Sequence, residues 1–339
     1  MDTIIEVREL VKSFGDIKAV ENISFDVGRG EIFGFLGPNG AGKSTTIKIL
    51  TTLIGKGSGT ITIDGLDLDA QADEVRRIIG YASQEVGVDN DLTARENLFI
   101  QCRYYHIPKE KSREKVEDLL RTVNLVEAGD RKLSTYSGGM RKRLDLATAL
   151  VSDPRILFLD EPTTGLDPKS RKELWDYIRG LNKKGTTIFL TTQYMEEADQ
   201  LADRLCIIDE GRIVAEGAPE ELKAKIGADT ITMSLREYDA AVLERAKNAL
   251  GSITGIKEIR ECQLDDICEN GLVLTIGDGS SIMPQVVRAL DAASVEVGKL
   301  TLSTPTLDDV FLSLTGKTLK VSEKANGDLM SKRRRRARL

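Results

Sequence analysis

The stretch Glu31-Ile32-Phe33-Gly34-Phe35-Leu36-Gly37-Pro38-Asn39-Gly40-Ala41-Gly42-Lys43-Ser44-Thr45 carries the architecture of this chain. Its apolar run predicts a buried strand over 31–36, and the helical pattern resumes at Lys43. Between them lies GxxxxGK[ST], in the strand–turn–helix context that such a motif requires. Glycines let the backbone curl so that successive N–H groups point inward at phosphate oxygens. The helix N-terminus adds the positive end of its dipole. Gly37, Pro38, Asn39, Gly40, Ala41, Gly42 and Thr45 therefore form the expected nucleotide cradle. Lys43 supplies a cation to the β/γ-phosphates, and the Ser44 hydroxyl suits Mg²⁺. A nucleotide and Mg²⁺ are the implied ligands.

A second apolar run, Ile156-Leu157-Phe158-Leu159, delivers Asp160 and Glu161 at a strand end. Asp160 is placed to hold the metal and Glu161 to polarise an attacking water as general base. Many nucleotide hydrolases share this pair, so a further feature must discriminate. Ser137-Gly138-Gly139, preceded by Tyr136 and opening a helix over 140–150, is a second anion-binding nest. With a helical insertion between the two nests, a second copy of the chain is expected to supply it.

These motifs, with Gln84 and Gly165-Leu166-Asp167-Pro168, resemble in order and spacing the ATPase subunit of ABC transporters, over about residues 4–220. The resemblance implies a homodimer of ATPase subunits with shared nucleotides, a separate integral membrane permease, and a peripheral location at the cytoplasmic face of the membrane. It implies that Phe14 stacks on adenine, that Gln84 reaches Mg²⁺ and the water, and that Asp167 crosses the dimer interface. Tyr136-Ser137-Gly138-Gly139-Met140 departs from the usual Leu-Ser-Gly-Gly-Gln. Together with Thr304-Pro-Thr-Leu-Asp-Asp-Val-Phe-Leu-Ser-Leu-Thr-Gly316 it looks like the daunorubicin-resistance type of drug-export ATPase, which implies a hydrophobic drug-like or lipid-like substrate. The family's switch histidine is replaced by Gln193 in Thr191-Thr192-Gln193-Tyr194. A glutamine amide can donate to the γ-phosphate but cannot take up a proton, so Glu161 remains the expected base. The one histidine, His106, reads as a solvated loop residue.

Beyond the phosphate motifs, strands are predicted over 187–191 and 205–209, and an α/β domain over 1–222. The strand signal vanishes between about 92 and 150. There Val116, Leu119, Leu120 and Val123 recur at helical spacing. Residues 226–317 predict a small α+β domain with the order βαββαβ, a ferredoxin-like plan. It shows no ligand-spaced cluster and reads as a packing or dimer-contact domain rather than a sensor. Residues 318–339 read as a disordered basic tail.

With 339 residues, 40% hydrophobic and 30% charged, the chain is globular, of about two domains. Its formal charge of −6 argues against a broad nucleic-acid-binding surface. Lys332–Arg338 crowds six cations into the last eight positions. That run could touch anionic lipid, bind RNA or stay solvated. A soluble ABC-type ATPase acting on ribosomes or nucleic acid through this tail is the alternative function. No apolar stretch reaches membrane-spanning length, and the start lacks a secretory pattern. Cys102, Cys206, Cys262 and Cys268 fit neither a zinc knuckle nor a CxxC pair and are expected to be reduced.

Overall fold

A computed structural model describes residues 2–84, 87–237, 239–262, 271–277 and 279–316. The tail expected over 318–339, with its disorder and its lipid contact, lies outside the described residues. The chain divides into two compact units, Met1–Pro219 (with residues 314–316) and Glu220–Ser313.

The first unit opens with long antiparallel strands β1 (Thr3–Phe14) and β2 (Ile17–Gly28), then β3 (Ile32–Leu36) and helix α1 (Lys43–Leu50). Next come β4 (Ser58–Ile63), β5 (Leu66–Asp67), α2 (Ala72–Ile78) and β6 (Ile79–Ala82). Helices α3 (Ala94–Tyr104), α4 (Lys109–Thr122) and α5 (Gly138–Ala149) follow without an intervening strand. The alternation resumes with β7 (Ile156–Asp160), α6 (Pro168–Asn182), β8 (Thr187–Thr192), α7 (Met195–Leu201), β9 (Arg204–Asp209) and β10 (Arg212–Gly217).

These strands form two sheets: β2-β1-β4-β5, antiparallel, and β10-β9-β3-β8-β7-β6, parallel except at β10. Strands β3, β7 and β8 read as unbroken apolar runs because both faces of the second sheet are covered. Phe33, Phe35, Phe158 and Phe189 point to one face, where they meet Phe25 and Ile47 in one cluster. Phe25 lies 5.6 Å from Phe33 and 5.4 Å from Phe35, centroid to centroid. Leu157, Leu159, Ile188 and Leu190 point to the other face and join the helical core. Each such buried side chain contributes about 1.5–3 kcal/mol relative to exposure. The antiparallel sheet was not among the predicted strands. Its β1 and β2 carry bulges at several points, which break the period-2 pattern that reveals a strand.

The helical stretch matches the predicted insertion. Thr93 caps α3 in a reciprocal capping box with Glu96. Val116, Leu119, Leu120 and Val123 are all buried in the shared helical core. His106, just past α3, is exposed with φ 55°. No described helix is long and apolar enough to cross a membrane.

Helix α8 (Pro219–Ile226) leads to the second unit: β11 (Asp229–Leu235), α9 (Ala240–Gly251), β12 (Ile256–Glu261), β13 (Gly271–Ile276), α10 (Gly279–Ala292), β14 (Val297–Ser303) and α11 (Leu307–Thr315). The sheet order β12-β13-β11-β14 is wholly antiparallel. This is the ferredoxin-like arrangement, with Val242, Ala246, Val286 and Leu290 turning from α9 and α10 onto the sheet. One expectation is corrected here. Cys102 and Cys206 are free and buried, but Cys262 is disulfide-bonded. Cys262 follows directly on β12, at the connection that returns the chain to β13.

Candidate functional site

The ends of β3, β7 and β8 lie along one edge of the parallel sheet, the carboxyl edge where open α/β sheets bind ligands. From β3 the chain enters the loop 37–42 without room to spare. A Cβ on Gly37 would sit 2.2 Å from the Ile208 carbonyl oxygen, and one on Gly42 would sit 2.5 Å from that of Ala19. Gly42 also adopts φ 107° as the residue preceding α1, a conformation that only glycine takes at little cost. Asn39 and Gly40 are exposed, whereas Gly37, Ala41 and Gly42 are buried. Thr45, in the first turn of α1, is half-buried.

Lys43 is 3% exposed. Its Nζ donates to the carbonyls of Gly37 at 2.8 Å and Pro38 at 2.9 Å. It also lies 3.4 Å from Glu161 Oε1. Burial lowers the pKa of its ammonium, opposed by Glu161 and, less strongly, by Asp160. A cation held this way is poised to exchange carbonyls for a more negative partner.

Two acids are set apart by their hydrogen bonds. Asp160 Oδ1 accepts from Ser44 Oγ at 3.1 Å and from Thr191 Oγ1 at 2.6 Å. Glu161 takes φ 47°, which turns its side chain out of the strand direction. There its Oε2 accepts from Thr164 Oγ1 at 3.1 Å and Gln193 Nε2 at 3.4 Å. Lys43, Ser44, Asp160, Glu161 and Gln193 thus form one connected cluster. Thr191 and Thr164 belong to it too and were missed from sequence. Thr191 sits at the predicted strand end before Gln193, and its Oγ1 also accepts from Glu161 N at 3.1 Å. Its position on the neighbouring strand is the only signal that could have found it.

The remaining predicted residues fall outside that cluster. Ser137 caps α5, its Oγ accepting from Met140 N at 3.2 Å. Ser137 and Gly138 are exposed, and Gly139 is buried. A Cβ on Gly139 would meet Ser170 Oγ at 2.7 Å. Ser170 Oγ in turn donates to Asp167 Oδ2 at 2.6 Å, so the nest packs against the cap of α6. That bond, ahead of the backbone bonds from Ser170 and Lys169, holds the exposed Asp167 carboxyl below its usual value. Phe14 ends β1, is 50% exposed, and carries the Lys12 ammonium 5.1 Å from its ring centroid. Gln84 is exposed just past β6.

Two further residues were not predicted. Lys142 Nζ donates to the carbonyls of Gln84 at 2.6 Å and Ser83 at 3.3 Å. Asp145 Oδ1 accepts from Gly87 N at 3.0 Å. Burial lifts the Asp145 carboxyl from 3.8 to about 6, with the Gly87 hydrogen bond and the Lys142 charge opposing it only in part. A carboxyl whose folded value lies above its unfolded one stabilises the fold below the unfolded value. That contribution is lost as pH rises through the folded one, here between about pH 4 and about pH 6. Asp145→Asn keeps an oxygen for Gly87 N and removes the titration. Its stability relative to wild type therefore gains on the order of 2–3 kcal/mol between those limits. Urea unfolding at pH 4.5 and pH 7.5 measures the gain, and an unchanged difference contradicts the assignment.

The donor set fits Mg²⁺. Ser44 Oγ and Asp160 Oδ1 are hard oxygens in direct contact. Mg²⁺ is commonly held by one or two such groups, with phosphate and water completing its octahedron. Among the described residues no group of three or more His, Cys, Asp or Glu side chains is placed to hold a metal.

A family profile described as "ABC transporter" matches residues 20–164, and one for the C-terminal domain of DrrA1-3-like ATP-binding proteins matches residues 217–315. Daunorubicin resistance ATP-binding protein DrrA3 of Streptomyces coeruleorubidus is 44% identical, over 96% of this chain and 99% of its own. The chain belongs to the ABC transporter ATP-binding proteins. Its activity is ATP hydrolysis that powers export. Within this family it is also similar to daunorubicin/doxorubicin resistance protein DrrA of Streptomyces peucetius (43% identical, 92% of each chain). Nod factor export ATP-binding protein I of Burkholderia lata is 40% identical over 93% of this chain and 98% of its own. These ABC relatives are named for drug resistance and export, and none of them for work on ribosomes or DNA. Among solved structures, cbiO1 of Clostridium perfringens, part of an ABC transporter complex, superposes with TM-score 0.62 at 28% identity, covering 66% of this chain and 92% of that one. A dimeric ATP-binding cassette bound to ADP and Pi gives 0.58 at 27% identity, covering 63% and 98%.

Proposed function

We propose that two copies of this chain close head-to-tail around two ATP molecules at the cytoplasmic face of the membrane. Through an integral membrane subunit they drive out a hydrophobic drug-like or lipid-like compound. The observation that carries the substrate class is coverage. The likeness to daunorubicin resistance protein DrrA3 runs over 96% of the chain, so it includes the small second domain and not the ATPase motifs alone.

The loop 37–42, Lys43 and Thr45 receive the phosphates, and Phe14 stacks on the adenine. Ser44 and Asp160, with Gln84, would hold Mg²⁺, which offsets phosphate charge when bound. Lys43 is shared with Glu161 at 3.4 Å, and phosphate oxygens compete for the same ammonium. As they take it, the Glu161 carboxylate loses its counter-ion and is free to accept a proton from water. The Gln193 amide donates to the γ-phosphate without gaining a proton. Ser137 and Gly139 of the second copy face that phosphate across the interface, beside Asp167. A dimeric neighbour bound to ADP and Pi supports this arrangement.

The membrane subunit has a fitting surface. A groove of about 510 Å³ is lined by Leu53, Tyr81, Ser83, Gly87, Gln101 and Tyr105. Leu53 is 58% exposed and Tyr105 43%, so two apolar side chains on this groove are open to a partner. The test is reconstitution with the candidate membrane subunit in lipid vesicles. Hydrophobic amphiphiles stimulate ATP turnover severalfold, and Leu53→Asp with Tyr105→Asp abolishes co-purification. Stimulation by hydrophilic sugars or amino acids instead would replace the substrate class.

A further inference from the structure

Helix α5 does two things. Its first turn presents Ser137 and Gly139, and one turn further along the same helix Lys142 and Asp145 stand three residues apart on one face. Both are nearly inaccessible, at 9% and 5% exposure. Neither is spent within its own helix. The Lys142 ammonium reaches the carbonyls of Ser83 and Gln84, and the Asp145 carboxylate reaches the amide of Gly87.

We propose that Lys142 and Asp145 are positioning residues for Gln84, gripping the chain on either side of it so that the glutamine moves with the helix that carries Ser137 and Gly139. This rests on the reading of Gln84 given under Proposed function. The grip is directional. A donor takes the two carbonyls and an acceptor takes the amide, so backbone polarity on both sides is satisfied from one helix. Burying a cation and a carboxylate is costly unless each is paired. Here burial pushes the Lys142 pKa down while Asp145, Asp160 and Glu161 push it up. The helical segment thereby holds its charges where they secure a backbone rather than where they bridge in solvent. Gly87 and Asp145 also line the groove beside Tyr105. A partner seated there touches one end of the grip while the composite nest lies at the N-terminus of the same helix.

The experiment uses the full chain. Lys142→Met keeps the apolar stem and loses the donor. Asp145→Leu keeps the volume and loses the acceptor. Asp145→Asn retains an oxygen. Amide hydrogen exchange at Gly87 rises in Asp145→Leu and stays near wild type in Asp145→Asn. Lys142→Met and Asp145→Leu lower kcat about 10- to 100-fold, the scale of a misplaced group, with fluorescent-ATP affinity within about threefold of wild type. Lys142→Met in a Gln84→Ala background adds no further loss, because a residue acting through Gln84 is silent without it. Additive losses in that double variant overturn the proposal, as does unchanged exchange at Gly87 in Asp145→Leu. Wild-type turnover in Gln84→Ala alone removes the underlying role of Gln84 and is distinguishable from either. Thermal melts of each variant identify any that fail to fold, and Asp145→Asn against Asp145→Leu then carries the comparison.

Discussion

Replacing Glu161 with glutamine lowers steady-state ATP turnover about 10²- to 10⁴-fold, the range expected when a general base is lost. ATP binding survives the change. Glu161 touches Lys43, Thr164 and Gln193, and a glutamine can keep the contacts its carboxylate makes with Thr164 and Gln193. The Lys43 ammonium loses its anionic neighbour at 3.4 Å and becomes more available to phosphate. Binding measured with a fluorescent ATP analogue therefore tightens or holds while hydrolysis stops. Closed dimers accumulate, visible by size-exclusion chromatography in ATP. Gln193→Ala behaves differently, since its amide donates and never carries the proton. It lowers kcat by a smaller factor and leaves the pH profile of turnover in place. A fast Glu161→Gln enzyme would falsify the base assignment.

The second large effect concerns the sharing of the pocket. Lys43→Ala and Ser137→Arg each silence turnover in the pure variant, by about 10²–10³-fold or more, the scale of removing one preorganised donor. Mixing the two restores hydrolysis. In a head-to-tail pair, one of the two sites then combines an intact Lys43 from one copy with an intact Ser137 from the other. Half of randomly paired dimers are mixed and half their sites are intact, so recovery approaches about a quarter of wild type. A pocket completed within a single chain predicts no recovery at all. The exposure of Ser137 and Gly138 in the single chain is what such an interface needs. Gly139 adds a constraint, because any Cβ there presses on Ser170 at 2.7 Å. The nest and the Asp167 cap are therefore disturbed together.

Much of this was legible along the chain for a physical reason. Phosphate binding by backbone N–H groups needs consecutive residues, so the cradle 37–45 is written in one place. Asp160 and Glu161 come at the end of a run that is apolar because both faces of its strand are buried. The stripe Val116, Leu119, Leu120, Val123 announced α4 through its period, and the second unit's βαββαβ order was readable because amphipathic helices stand between its first and second strands and between its third and fourth. The first sheet stayed hidden since the bulged β1 and β2 do not alternate.

Local order thus specified every element whose chemistry lies within a few bonds: the cradle, the acid pair, the helix caps and the choice of glycine at 37 and 42. Folding had to settle what depends on side chains far apart in sequence meeting across a sheet edge or a loop. Thr191 reaches Asp160 only because β8 pairs with β7. Lys142 and Asp145 reach Ser83, Gln84 and Gly87 across 58 or 59 positions because α5 packs beside β6. Hydrogen-bond partners at such separations leave no periodic trace, since their spacing is set by chain topology and not by the geometry of any one helix or strand.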